Sequence, residues 1–226
     1  MPGGQVRDAT WVTALGVLLA GCFGRSGPEG SKSVEWLVSV SGQESRWIVR
    51  LVSYIGMLKT DVNVNHRGWP WYPGNSAWIE PTALSILALK KSLAWRQSSE
   101  VRARVQEGEE LILSRRGHDG GWNSGNPSVL KYDVPSYPET TALALIGLQG
   151  RSCSQVSAAL GTARNYLTNT KSSLAKAWLT IALRCYGEGV PPLADTPVPN
   201  DILLCALQAL ASPSGNHRLL TPGVSV

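Results

Sequence analysis

The segment Ile79 to Leu89, IEPTALSILAL, is rewritten 59 positions later within YPETTALALIGL, Tyr137 to Leu148. Each copy follows a Gly-Trp loop: Arg67-Gly-Trp-Pro-Trp-Tyr-Pro-Gly-Asn75 before the first, His118-Asp-Gly-Gly-Trp-Asn-Ser-Gly-Asn126 before the second. A loop and the helix it feeds therefore recur as one unit, the signature of a stack of helix pairs.

Two kinds of helix alternate along the chain. The repeated segments are apolar nearly all round: Thr141 to Leu148 carries no charge, so such a helix must be covered on every side. Between them lie one-sided segments. Val101, Val105, Gly108 and Ile112 share a stripe while Arg102, Arg104, Glu107, Glu109 and Glu110 fall off it; Val156, Leu160, Ala163 and Leu167 form a second stripe, and Trp47, Leu51, Val52, Ile55 and Leu58 a third. This alternation predicts an all-α fold in which inner helices near 9–20, 78–94, 138–149 and 173–186 are wrapped by outer helices near 46–58, 99–115, 155–168 and 200–211. The simplest closure of that pattern is an α/α toroid, here incomplete with eight or nine helices, in a single domain over residues 1–226. Pro81 and Pro138 stand where a helix start tolerates a missing N–H, and Glu80 and Glu139 place negative charge at the positive end of a helix dipole. The Pro-rich stretch 190–199 is the best internal break.

Composition narrows the function classes. Apolar residues make up 43% and charged residues 16%, and the net charge of +5 is scattered rather than clustered, so no nucleic-acid-binding stripe is expected. Such a mildly basic surface suits anionic lipid, and peripheral membrane association is one expectation. No run reaches the roughly 20 apolar residues of a membrane-spanning helix. Cys22, Cys153, Cys185 and Cys205 lack CxxC spacing and read as small packing residues. Leu19-Ala-Gly-Cys22 could be a lipoprotein cleavage box, but Asp8 beside Arg7 is a poor signal-peptide start and Thr13-Ala-Leu15 matches Thr82-Ala-Leu84 and Thr141-Ala-Leu143, which favours a helix.

Gly108-Glu-Glu-Leu-Ile-Leu-Ser-Arg-Arg-Gly-His-Asp-Gly-Gly-Trp122, with Gly68-Trp69-Pro-Trp71 and the Thr-Ala-Leu helices, resembles the repeat of squalene-hopene cyclases and their relatives in the terpenoid cyclase and protein prenyltransferase toroid superfamily. The likeness covers residues 8 to 211, with Arg where that repeat carries Gln. It implies a ring with an apolar interior that takes an isoprenoid or another lipid, and either proton-initiated polyene cyclisation, a terpene cyclase-type isomerisation, or zinc-assisted prenyl transfer. The cyclases' strong acid is an Asp-x-Asp-Asp cluster; the nearest segment here is Asp61-Val-Asn-Val64, and the catalytic role is not carried over. His66, His118, His217 and the four cysteines show no zinc-binding context, so no metal and no cofactor are expected. An open ring would leave apolar edges free for self-association.

Candidate catalytic carboxylates are Asp133, Glu80, Glu139 and Asp119, with Asp133 preferred because it does not begin a helix. Candidate substrate-binding residues are Trp69, Trp71, Tyr72, Trp78, Trp122 and Tyr132, whose rings could face a carbocation or could instead staple loops to helices. Three functions compete: an isoprenoid cyclase, which needs the missing acid; a non-catalytic toroid that binds a lipid or a protein; and a glycan-active α/α barrel, which would need two carboxylates roughly 5 to 10 Å apart across a groove.

Overall fold

The computed structural model describes residues 9–24, 27–55, 64–191, 193, 201–212 and 219–222, and these form an all-α fold. Its α-helices are α1 (Thr10–Cys22), α2 (Pro28–Ser39), α3 (Trp47–Tyr54), α4 (Ile79–Ser92), α5 (Ser99–Ser114), α6 (Pro138–Gly147), α7 (Ser154–Asn169), α8 (Ser173–Cys185) and α9 (Ile202–Leu210). A 3-10 turn, Gln43–Ser45, precedes α3, and a small hairpin, β1 (Ser128–Val129) with β2 (Tyr132–Asp133), precedes α6.

The helices form two layers. α1 packs on α4, α4 on α6 and α6 on α8, which makes a row; α2 lies against α1 and α4, α5 against α4, α7 against α6 and α8, and α9 against α8. The row consists of the four segments expected to be inner helices. Burial explains the division: α4 hides Ile79, Ala83, Ile86, Leu87 and Leu89 around its whole girth, whereas α5 hides Val101, Val105 and Ile112 and leaves Arg102 exposed. The four cysteines are each partly buried, and burial pushes the Cys185 thiol up to about 11.

The joint between loop and inner helix is the same in both repeat units. Trp69 and Trp122 are completely buried. The Trp69 amide donates to Thr82 Oγ1 (2.9 Å) and the Trp122 amide to Thr141 Oγ1 (3.0 Å), while their carbonyls accept from the amides of Trp78 (3.0 Å) and Tyr137 (2.9 Å). Each indole N–H then reaches the last turn of the preceding outer helix, Trp69 Nε1 to the Leu37 carbonyl (2.8 Å) and Trp122 Nε1 to that of Ile112 (2.6 Å). One Trp thus bonds a carbonyl in the last turn of the outer helix, plugs the core and fixes the next helix; the Ile112 carbonyl also accepts the Arg115 amide (3.1 Å). The preceding glycine makes this approach possible. A Cβ on Gly121 would stand 2.5 Å from Ser136 Oγ and 2.6 Å from Thr141 Oγ1, and one on Gly68 would stand 2.8 Å from Thr82 Oγ1. Gly121→Ala is accordingly expected to destabilise the protein by about 1–3 kcal/mol, measured by urea unfolding; an unchanged midpoint would mean the loop relaxes freely.

The two units differ from each other in two spacings. Between the anchoring carbonyl and the Trp lie 32 positions in the first unit, Leu37 to Trp69, and 10 in the second, Ile112 to Trp122. The first unit therefore carries an insertion of 22 residues, which holds the 3-10 turn and α3. Between Trp and Thr the count is 13 in the first unit and 19 in the second, and the six extra residues accommodate the β1–β2 hairpin.

This corrects the expected outer helix near 46–58. The outer helix of the first unit is α2, whose Val34 and Leu37 are fully buried, and α3 is an inserted element. Its predicted stripe is not covered by the body of the fold: Trp47, Leu51 and Ile55 are exposed, together with Ile48 and Tyr54. Leu58 lies outside the described residues.

At the opposite end of the inner helices a charged knot ties neighbouring units together. Lys90 Nζ, on α4, donates to the carbonyls of Gly147 (2.8 Å) and Gln149 (2.6 Å) at the end of α6 and pairs with Glu109 of α5 (2.6 Å). Arg151 completes it by bonding Glu109 and Glu110. Burial draws the Lys90 pKa below its ordinary value, with Glu109 opposing.

Candidate functional site

The N-terminal ends of α4 and α6 bound a cleft of about 530 Å³. Trp78 and Tyr137 occupy equivalent places in the two units, each immediately preceding its inner helix, and both line the cleft. Both rings are half-exposed. Ala77, Val129 and Val134 add apolar wall, and Ser76, Asn123, Ser124 and Asn126 supply polar atoms. Asn123 braces this wall by donating to the Asn126 carbonyl (2.8 Å) and accepting from the Gly125 amide (2.8 Å). The Ser124 carbonyl in turn receives the Ile79 amide (2.9 Å).

Buried Arg115 also lines the cleft. It donates to the Ala77 carbonyl (2.6 Å) and to Glu44 Oε1 (3.0 Å), and Glu44 accepts the Ala77 amide (2.9 Å). Burial lowers the Arg115 pKa while the Glu44 charge and hydrogen bond oppose that shift. The pair joins the start of the inserted segment to the wall of the cleft.

None of the four candidate carboxylates lines the cleft, and each has a local partner. Glu80 Oε1 accepts from Ser124 Oγ and from Thr140 Oγ1 (3.3 Å) of α6. Glu139 accepts from Ser172 Oγ (3.4 Å), the N-cap of α8. Each glutamate therefore ties the first turn of one inner helix to the start of the next, a latch repeated down the row. Glu80 Oε2 is buried with no hydrogen-bond partner.

Asp119 Oδ2 accepts from the amide (2.8 Å) and hydroxyl (2.9 Å) of Ser136. Partial burial pushes its pKa up, but those bonds and one from the Gly121 amide outweigh burial and hold the carboxyl below its usual range. A lowered folded-state pKa makes this contact fully stabilising above the unfolded value and weakens it as pH falls through the folded value. Asp119 is thus an ionised loop clasp rather than a proton donor. Asp133 sits on the exposed hairpin and bonds His118 Nδ1 (3.0 Å), and this contact raises the His118 pKa.

The aromatic candidates separate in the same way. Trp69 and Trp122 do not line the cleft; they are the buried staples described above. Arg104 Cζ lies 3.4 Å above the Trp69 ring, and its guanidinium donates to the carbonyls of Arg67, Val40 and Gly68. Trp71 meets Trp11 edge-on, with ring centroids 6.4 Å apart, and its carbonyl accepts the Thr10 amide at the start of α1. Tyr72 and Tyr132 are exposed, and Trp78 alone of the six lines the cleft. Asp133, Glu80 and Glu139 do not gather around Trp69, so the expected acid site is not assembled from these residues.

No protein-family model and no curated protein matches this chain.

Among the described residues no group of three His, Cys, Asp or Glu side chains is placed to hold a metal ion; Asp61 and His217 lie outside them. No described helix is long and apolar enough to cross a membrane. Of the residues that line the cleft only Trp78 was singled out from sequence, and Arg115, Asn123, Ser124 and Tyr137 are among those missed. A signal for Tyr137 was present: aligning the repeated helices sets it opposite Trp78.

Proposed function

We propose that this chain is a non-catalytic helical-repeat protein, an arc of the squalene-hopene-cyclase-like toroid type, that binds an apolar isoprenoid or similar lipid chain in the cleft between Trp78 and Tyr137. The observation that carries the reading is the contrast between cleft and carboxylates. The cleft is apolar, braced and accessible, while Asp119, Asp133, Glu80 and Glu139 are spent on loop clasps and inter-helix latches. Protonating an unactivated alkene requires a buried, neutral, unusually strong acid, and among the described residues no carboxylic acid lines the cleft. An apolar wall with a few polar atoms suits binding by burial with orientation at one end.

Titration of tryptophan fluorescence with squalene and with a linear prenyl alcohol in detergent is expected to saturate. Trp78→Ala is expected to weaken binding about tenfold, the equivalent of losing about 1.4 kcal/mol of ring contact, with little change in unfolding midpoint because that ring is half-exposed. Extracts after incubation should contain unchanged substrate. A cyclised or prenylated product would overturn the non-catalytic reading, and an absence of saturable binding by isoprenoids and phospholipids alike would overturn the lipid reading.

A further inference from the structure

Both departures from the repeat place large apolar side chains in the open beside positive charge. On α3 the exposed residues Trp47, Ile48, Leu51, Tyr54 and Ile55 fall at helical spacing on one face, with Trp47 at 74% exposure and Tyr54 at 89%. The main neighbour of α3 is the 3-10 turn leading into it, so the helix displays its apolar face instead of burying it. Exposed Arg46 opens the helix and Arg50 follows it in sequence, while the preceding acid, Glu44, is buried and paired with Arg115. In the second unit the hairpin leaves Leu130 at 78% and Tyr132 at 79% exposure, with Lys131 between them. Leu130 and Lys131 both hold positive φ, 52° and 68°, as the two central residues of a tight hairpin turn that normally takes Asn and Gly. The chain thus accepts a backbone cost on the order of 1–2 kcal/mol per residue to keep a leucine and a lysine at the tip. The neighbouring acid, Asp133, is paired with His118.

Both elements are rooted at one place. Glu44, at the foot of α3, is bonded to Arg115 and to the Ala77 amide, and Ala77, Arg115 and the hairpin residue Val129 line the same cleft. Inserted segments in repeat proteins commonly gather on the binding face. Apolar residues with aromatics at the helix ends, beside exposed Arg46 and Lys131, match the interface of an anionic bilayer: rings and aliphatics enter the headgroup boundary while Arg and Lys meet phosphates.

We propose that α3 and the hairpin tip form a docking surface for an anionic lipid bilayer, which sets the mouth of the cleft against the membrane. Docking stands on these two elements; transfer of a lipid into the cleft rests on the function proposed above.

The test is co-sedimentation of the purified full chain with vesicles of phosphatidylcholine alone or mixed with phosphatidylglycerol, without added isoprenoid. Binding is expected to the mixed vesicles, to weaken as salt is raised, and to fall about tenfold or more in Trp47→Ser/Leu51→Ser. Leu130→Asn/Lys131→Gly should also bind more weakly while unfolding at a higher temperature, since it relieves the turn. All four positions are exposed, so circular dichroism should show the variants folded. Equal partitioning of wild type and the Trp47/Leu51 variant, or no partitioning at all, overturns the proposal. So does gel filtration that finds a wild-type dimer converted to monomer by the double substitution with vesicle binding unaffected, since the face would then belong to a second copy. Trp78→Ala should dock normally, and Trp47→Ser/Leu51→Ser should still bind isoprenoid in detergent, so failure of docking and failure of the cleft are read separately.

Discussion

Trp122→Ala is expected to lower stability by about 3–5 kcal/mol, the range for removing a fully buried large aromatic, and a chain of marginal stability would then be largely unfolded near physiological temperature. Three losses coincide at this side chain. The cavity opens where α5, the second Gly-Trp loop and α6 meet; the Ile112 carbonyl at the end of α5 loses the indole N–H; and the loop backbone loses the packing that holds the Trp122 amide on Thr141. Trp122→Phe separates the terms, because it keeps most of the ring volume and should cost about 1–2 kcal/mol, mainly from the lost indole hydrogen bond, since the Ile112 carbonyl still accepts the Arg115 amide (3.1 Å). Urea unfolding followed by circular dichroism measures both. Trp78→Ala is the internal comparison: its ring precedes the other repeated inner helix but is half-exposed, so its effect should appear in ligand binding and hardly in stability. A loss below about 1 kcal/mol for Trp122→Ala would show that the Gly-Trp joint does not hold the units together.

The repeated helix was legible because its constraint is local. Apolar residues all round α4 and α6 can be satisfied only by cover on every side, and the entry Pro, Glu and Gly-Trp are tied to the same helix starts. Two things were not local. α2 was not among the expected helices: Pro28-Glu29 is a helix start, but Gly30 and Ser31 follow it, and the segment is held by Val34 and Leu37 buried beside α1 and α4 and by the Leu37 carbonyl that accepts the Trp69 indole. The stripe on α3 was read correctly as a stripe, but periodicity states which residues share a face and not whether anything covers it. The candidate carboxylates are dispersed for a related reason. Glu80, Glu139 and Asp119 were selected as acids at helix entries and Gly-Trp turns, and those are the places where a carboxylate has structural work: bonding the next helix start or clasping a loop amide. The cleft arises between two units, from residues of both Gly-Trp loops, so no single stretch of sequence announces it.

Arg115→Met is the second substitution expected to act strongly, because it breaks a buried ion pair from one side. Arg115 and Glu44 are both almost wholly hidden from solvent, and the guanidinium also serves the Ala77 carbonyl. Removing it strands a carboxylate that has given up its hydration, at about 3–5 kcal/mol. Glu44→Gln should cost less, since an amide oxygen can still accept the Ala77 amide. The double variant Glu44→Met/Arg115→Met should recover part of the loss: replacing both members of a buried pair by apolar side chains removes the uncompensated charge, although the Ala77 amide and carbonyl then lose their partners. Unfolding measurements on the four proteins give the coupling. The pair also makes a local prediction, because Glu44 secures the foot of the inserted segment to the cleft wall. Trypsin cleavage after exposed Arg46 should accelerate in Arg115→Met under conditions where the rest of the chain remains folded, and the double variant should be cleaved faster than wild type even where its stability recovers. Equal cleavage rates in all four proteins would mean that the insertion is held by contacts other than this pair.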